Sequence, residues 1–174
     1  FNANKMVMDS NNINLNILIQ NIIDECKDLF LNDKKIKINF NSPSDIIIEG
    51  DKNRLSQTLR NLLENAIKFT PDKGIINITL KHIIINNVKS IHFTISDSGI
   101  GIPTDEIDSI FDPFTQSSIT KTGAGGTGLG LSICKQIINL HQGKIWAENN
   151  INAAGSSIYF TIPVSQISET SLAN

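Results

Sequence analysis

The chain has 174 residues and a mass of 19.1 kDa, enough for one domain with its own core and too few for two full ones. With 40% apolar and 18% charged residues and a mean hydropathy of −0.05, it is a globular chain and not a disordered one. Fifteen basic residues against seventeen acidic ones leave a formal net charge of −2, which gives no general attraction to nucleic acid or to an anionic membrane.

Residues 1–13 are rich in asparagine and read as a leader with at most a brief edge strand. From Leu15 the apolar residues fall at 15, 18, 19, 22, 26, 29 and 30, the stripe of an amphipathic helix, with Asn14 as its N-cap and Asn32-Asp33 as its end. Ile36, Ile38 and Phe40 alternate with polar residues and predict a strand, and Ile46–Ile48 predicts a second short one. Asp51 is placed to cap a helix over about 53–69, which Thr70-Pro71 stops. Ile76, Ile78 and Leu80, then Ile91, Phe93 and Ile95, form two alternating runs joined at Asn86-Asn87, the signature of an antiparallel hairpin. Residues 97–127 read as loop with one short helix at 104–110. A third helix is expected over about 128–140, followed by strands at 144–148 and 157–164 and a polar tail. The expected fold is an α/β two-layer sandwich: a mixed, mostly antiparallel sheet of about five strands covered on one face by three helices.

Four segments carry chemistry. Asp97 ends a strand whose positions 91, 93 and 95 are apolar, so period two aims its carboxylate at the helix layer. Such a carboxylate needs a partner. It is either a turn cap ahead of Ser98-Gly-Ile-Gly-Ile-Pro103 or the floor of a pocket that accepts a hydrogen bond from an amine. On the second helix, Arg54, Gln57, Asn61, Asn65 and Lys68 make a narrow polar stripe. It is a solvated face or, because asparagine is a poor mid-helix residue, a set of amide oxygens and a cation for a metal–phosphate complex. Gly123-Ala-Gly-Gly-Thr-Gly-Leu-Gly130 leads into the third helix, as a flexible loop or as backbone amides for an anion. No Walker-type or dinucleotide fingerprint is present. Phe111 and Phe114 anchor a loop to the core or seat a mobile lid over 115–126, within which Lys121 could reach a terminal phosphate.

Cys26 and Cys134 lie far apart among apolar residues, and no Cys/His cluster exists, so structural zinc is not expected and a reducing, cytoplasmic setting is. No apolar run is long enough to span a membrane, and no signal peptide is visible.

Together, Asn61-Leu-Leu-Glu-Asn65-Ala-Ile-Lys68, Asp97-Ser-Gly-Ile-Gly101-Ile-Pro, Phe111-Asp-Pro-Phe114 and Gly126-Thr-Gly-Leu-Gly-Leu-Ser132 resemble the N box, first glycine box, F box and second glycine box of sensor histidine kinases. Gly50-Asp-Lys-Asn-Arg-Leu55, Leu140-His-Gln-Gly-Lys-Ile-Trp146 and Gly155-Ser-Ser-Ile-Tyr-Phe are similar to further segments of that family. The resemblance implies the Bergerat ATP-binding fold of the GHKL superfamily, with ATP and Mg²⁺ as cofactors. It makes Asn65 the Mg²⁺ ligand and turns Asn61 and Lys68 to the phosphates. Asp97 would bind the adenine amine, with Gly99, Gly101 and Ile102 in that wall. Gly126, Thr127, Gly128 and Gly130 would meet the phosphates through the backbone, with Leu129 in the same run as a packing residue. Phe111, Phe114 and Lys121 would belong to the lid.

The resemblance further implies a dimerisation and phosphoacceptor domain on the same or a partner chain, and a response-regulator receiver domain, as partners. Residues 1–13 would then be a linker from that upstream domain, 14–164 the catalytic domain and 165–174 a tail. The intact protein could be membrane-anchored, this domain touching neither membrane nor nucleic acid. None of His82, His92 and His141 resembles a phosphoacceptor. ATP-hydrolysing members of the superfamily carry a glutamate, as base for water, at the position of Asn61, which argues for phosphoryl transfer. A related serine kinase that controls sigma factors, and a non-catalytic nucleotide-sensing module, are the alternatives.

Overall fold

A computed structural model describes residues 8–31, 34–115, 118 and 128–165 of the chain. In chain order the elements are β1 (Ser10–Asn14), α1 (Leu15–Phe30), β2 (Lys37–Asn41), β3 (Ile47–Asp51), α2 (Lys52–Phe69), β4 (Ile75–Ile85), β5 (Val88–Asp97), α3 (Gly130–Leu140), β6 (Lys144–Asn149) and β7 (Ser156–Pro163).

Local signals explain most boundaries. The Asn14 side chain accepts from the Ile17 amide and starts α1, and Asp51 accepts from the Arg54 amide and starts α2. Asn86 and Asn87 take φ of 47° and 64°, the left-handed pair that closes a tight hairpin between β4 and β5. The main sheet has the order β2-β4-β5-β7-β6. Its pairs are antiparallel except β2 with β4, which run parallel, Ile38 opposite Ile76. A parallel neighbour needs a crossover, and β3 and α2 supply it. The leading strand β1 pairs with β3 in a separate two-stranded sheet, Ile13 opposite Ile48.

All three helices lie on one face of the sheet, against Ile76, Ile78, Leu80, Ile91, Phe93 and Ile95. Phe93 of β5 and Phe160 of β7 stack with ring centroids 4.6 Å apart. Burying a side chain of this kind stabilises by about 1.5–3 kcal/mol. The opposite face is polar, with one aromatic group: His92 stands beside Trp146 and Tyr159, whose rings stack at 5.3 Å. Among the described residues no helix is long and apolar enough to cross a membrane.

Two expectations are corrected. Residues 104–110 form turns and no helix: the Ser109 amide donates to the Glu106 carbonyl at 3.0 Å and the Ile110 amide to the same oxygen at 3.1 Å, so the bonds converge instead of propagating. The third helix begins at Gly130 and not at Gly128, because Gly128 takes φ +69° and leaves the helical region.

Candidate functional site

Of the expected site residues, Asp97 and Gly99 lie at the C-terminal end of β5, Gly99 against the end of α2, and Asn61 of α2 lies against Gly130 at the start of α3. Asp97 occupies the last position of β5, opposite Ile76, and its half-buried carboxylate is held by three donors. The Gly99 amide donates to Oδ1 at 2.8 Å, the Ser156 amide to Oδ1 at 3.4 Å and the Ser156 hydroxyl to Oδ2 at 3.0 Å. The carboxylate is therefore fixed in orientation, with acceptor capacity left over. Gly99 is required there: a Cβ would lie 2.5 Å from the Phe69 carbonyl oxygen at the end of α2. Gly155 is required for the same reason, since a Cβ would lie 1.9 Å from the Asp97 carbonyl oxygen. Gly101, at φ +76°, and Ile102 continue the wall.

On α2, Asn61 and Asn65 are half-buried and Lys68 is exposed. The Asn61 amide donates to the Gly130 carbonyl at 3.3 Å and lies against the Cys134 thiol, so it ties α2 to the start of α3. Burial pushes that thiol up to about 12, which makes Cys134 an inert packing group. Among the described residues no hydrogen bond engages the Asn65 carboxamide, whose oxygen is left for another ligand. Lys68 places its ammonium 5.2 Å from the Phe69 ring centroid. Glu64 turns away from this stripe toward α1, beside Glu25 and Arg60. Burial first, then the Glu25 charge, raises its pKa, against the pull of the Arg60 guanidinium.

Among the described residues the start of α3 has no side-chain cap: Leu129 occupies that position and supplies none. Uncapped first amides of a helix can receive an anion, and the glycine run leads to this helix start. Leu129 is itself half-buried, and its carbonyl accepts from the Ser132 hydroxyl at 2.9 Å.

The two expected lid aromatics separate. Phe111 is 6% exposed and belongs to the core, whereas Phe114 is 76% exposed at φ +62°. Phe114 therefore seats nothing among the described residues; its backbone does the holding, with its amide donating to the Gly128 carbonyl at 3.1 Å. Lys121, Gly126 and Thr127, with most of the expected lid, lie outside the described residues.

Sequence reading missed the partners contributed by the β6–β7 turn and the first residue of β7. Ser156 supplies two of the three donors to Asp97, and the Asn150 amide donates to the Asp97 carbonyl at 2.8 Å. A Gly-Ser-Ser segment before a strand was the available signal, but only pairing of β7 with β5 brings it to Asp97.

A family model described as histidine kinase-, DNA gyrase B-, and HSP90-like ATPase matches residues 50–166, more than half of the chain. The chain belongs to this family. The adaptive-response sensory kinase SasA of Prochlorococcus marinus strain MIT 9215 is 40% identical over 134 residues, 76% of this chain and 35% of that protein. SasA of strain AS9601 is 35% identical over 167 residues, 95% of this chain and 42% of that protein. The chain thus spans less than half the length of these curated relatives, 35% of one and 42% of the other. The nucleotide-free catalytic domain of histidine kinase ThkA superposes with a TM-score of 0.79 at 34% identity, covering 91% of this chain and 98% of that one. ThkA in complex with response regulator protein TrrA superposes at 0.75 with 32% identity, over 92% of this chain and 43% of that one. The two-layer fold is accordingly the GHKL, or Bergerat, fold, and the chain carries the ATP-binding catalytic domain of a histidine kinase.

Proposed function

We propose that this GHKL domain, spanning residues 14–164, transfers the γ-phosphate of ATP to a histidine on a separate dimerisation and phosphoacceptor domain, for onward passage to a receiver domain. One observation carries the reading: the face of α2 at the site presents Asn61, Asn65 and Lys68 and no carboxylate, because Glu64 is turned to α1. Nothing on that face could take a proton from water, so the site is suited to positioning and charge neutralisation, on which phosphoryl transfer depends.

The roles follow from placement. Asp97 accepts the adenine amine on the lone pairs that Gly99 and Ser156 leave open. Gly99, Gly101 and Ile102 line the adenine side. Asn61, Lys68 and the uncapped start of α3, with Gly128, Leu129 and Gly130, receive the phosphates. The donor set also fits magnesium. No group of three or more His, Cys, Asp or Glu forms a protein cage among the described residues, and Asn65 offers one unengaged amide oxygen, which suits an ion that keeps waters and shares phosphate oxygens. Bound there through Asn65, Mg²⁺ would supply charge neutralisation between the phosphates.

None of the three histidines is placed as the acceptor. His141 is fully buried with both ring nitrogens engaged, and His82 and His92 sit within β4 and β5. ThkA complexed with TrrA supports a receiver domain as the eventual partner. The test is incubation of the chain with γ-labelled ATP, magnesium and a candidate phosphoacceptor domain. Acid-labile, base-stable label on that domain is the expected outcome. Acid-stable label on serine would favour the sigma-factor type of serine kinase, and released inorganic phosphate would favour hydrolysis.

A further inference from the structure

The wall that follows Asp97 is irregular backbone, and among the described residues one side chain secures its far end. At that end Asn149, the last residue of β6, accepts from the Ile102 amide at 2.8 Å through Oδ1 and donates to the Ile102 carbonyl at 2.7 Å through Nδ2. One carboxamide thus pairs both polar backbone groups of one residue, as a peptide unit of a neighbouring strand would. Gly101 lies flat against it: a Cβ there would come within 3.1 Å of Asn149 Oδ1, and φ is +76°. Next to it, Asn150 holds the near end. It donates to the carbonyls of Asp97 at 2.8 Å and Ala154 at 2.9 Å, and accepts from the hydroxyls of Ser157 at 2.7 Å and Ser96 at 3.2 Å. Two consecutive asparagines therefore grip the segment 97–102 at its two ends.

We infer that Asn149 is a positioning residue for the purine: by clipping Ile102 it fixes the course of 99–102 and so the space that Asp97 reads. The inference rests on the ATP reading of the site. Asn149 is exposed and outside the core, so its replacement leaves the fold standing. An irregular segment released from its clip samples several courses, and a purine must then pay the ordering that the clip now provides.

The test uses the 174-residue chain without metal, displacing a fluorescent ATP analogue with ADP or GDP, together with amide hydrogen exchange at Ile102 in the absence of nucleotide. Asn149→Ala is expected to speed Ile102 exchange at least about tenfold, to weaken ADP about five- to tenfold, and to leave the melting temperature unchanged. It is also expected to narrow the preference for ADP over GDP, which a general loosening would not do, since that weakens both alike. Asn149→Asp keeps the acceptor for the Ile102 amide and loses the donor to its carbonyl, so its Ile102 exchange should fall between the native chain and Asn149→Ala. Unchanged ADP affinity in Asn149→Ala overturns the inference whatever the exchange shows, as does equal weakening of ADP and GDP with a lowered melting temperature. If the native chain displaces no analogue with ADP, the ATP reading fails, while Ile102 exchange still decides whether the clip exists.

Discussion

The Asp97 carboxylate receives the Gly99 and Ser156 donors before any nucleotide arrives. An amide in its place would have to turn an NH₂ group toward one of those donors or toward the adenine amine. Leaving one such pair unmade costs about 1–3 kcal/mol, so Asp97→Asn should weaken ATP about 5- to 150-fold by calorimetry. At Asn65 the expectation separates two parts of the ligand. Asn65→Ala should leave adenosine affinity within about twofold and reduce magnesium-dependent phosphoryl transfer about tenfold or more, as loss of one metal ligand would. Equal loss of adenosine binding would remove Asn65 from the metal. The placement of Asp97, Asn61 and Asn65 was legible because strand and helix periods fix which way they point. Ser156 and Asn150 were not, because their bonds to Asp97 span 59 and 53 residues and depend on strand order.

Among the elements, α2 carries the stripe proposed to face the phosphates and is held at both ends. At its N-terminus Asp51 accepts from the Arg54 amide at 3.1 Å, a cap that its place before the apolar run announces. Burial alone would raise the Asp51 carboxyl, but the Arg54 and Asp9 amides and the Arg54 guanidinium outweigh it and hold it below the usual carboxylate range. At the C-terminus the Lys34 ammonium donates to the carbonyls of Ile67, Lys68 and Thr70, at 3.1, 3.1 and 3.0 Å. A cation there satisfies orphan carbonyls and opposes the helix dipole. No spacing rule reveals Lys34, since the helix end it serves is 33 to 36 residues away. The turns at 104–110 escaped for the converse reason: the local pattern looked helical, and Pro103, Glu106 and Ser109 closed separate turns instead. Lys34→Met keeps the aliphatic stem and removes the three donors. It should lower unfolding free energy by about 1–2 kcal/mol in a urea titration and, by loosening the backbone beside Gly99, weaken ATP as well.

At the scale of the whole molecule, His141 is the knot between the two ends of the helix layer. It follows α3 directly, is 0% exposed, and its Nδ1 lies 2.8 Å from the Ile137 carbonyl while Nε2 accepts from the Asp51 amide at 2.9 Å. That pairing requires the neutral ring with its proton on Nδ1. Gly50 leaves room for it, a Cβ there lying 3.1 Å from the ring, and Asp51 passes the connection on to α2 and, through the Asp9 amide at 3.2 Å, to the chain entering β1. Burial pushes the His141 pKa down, against the Ile137 bond and the Asp51 charge, which favour the proton, while Arg54 adds to the depression. With the folded value below the unfolded one near 6.5, the unfolded chain binds more protons between the two. Stability is therefore complete above about pH 6.5 and falls as the pH drops from there through the folded value. His92, also lowered by burial and by Lys81, adds a loss of the same sign, and Asp51 adds its own only as the pH falls into and below the usual carboxylate range. His141→Gln offers one donor and one acceptor without a titrating proton. Its unfolding free energy from urea titration should be lower at pH 7.5, by about 1–2 kcal/mol, but should decline less than the native value between pH 6.5 and 5. A variant that kept the full native slope would show that the acid sensitivity lies outside this knot.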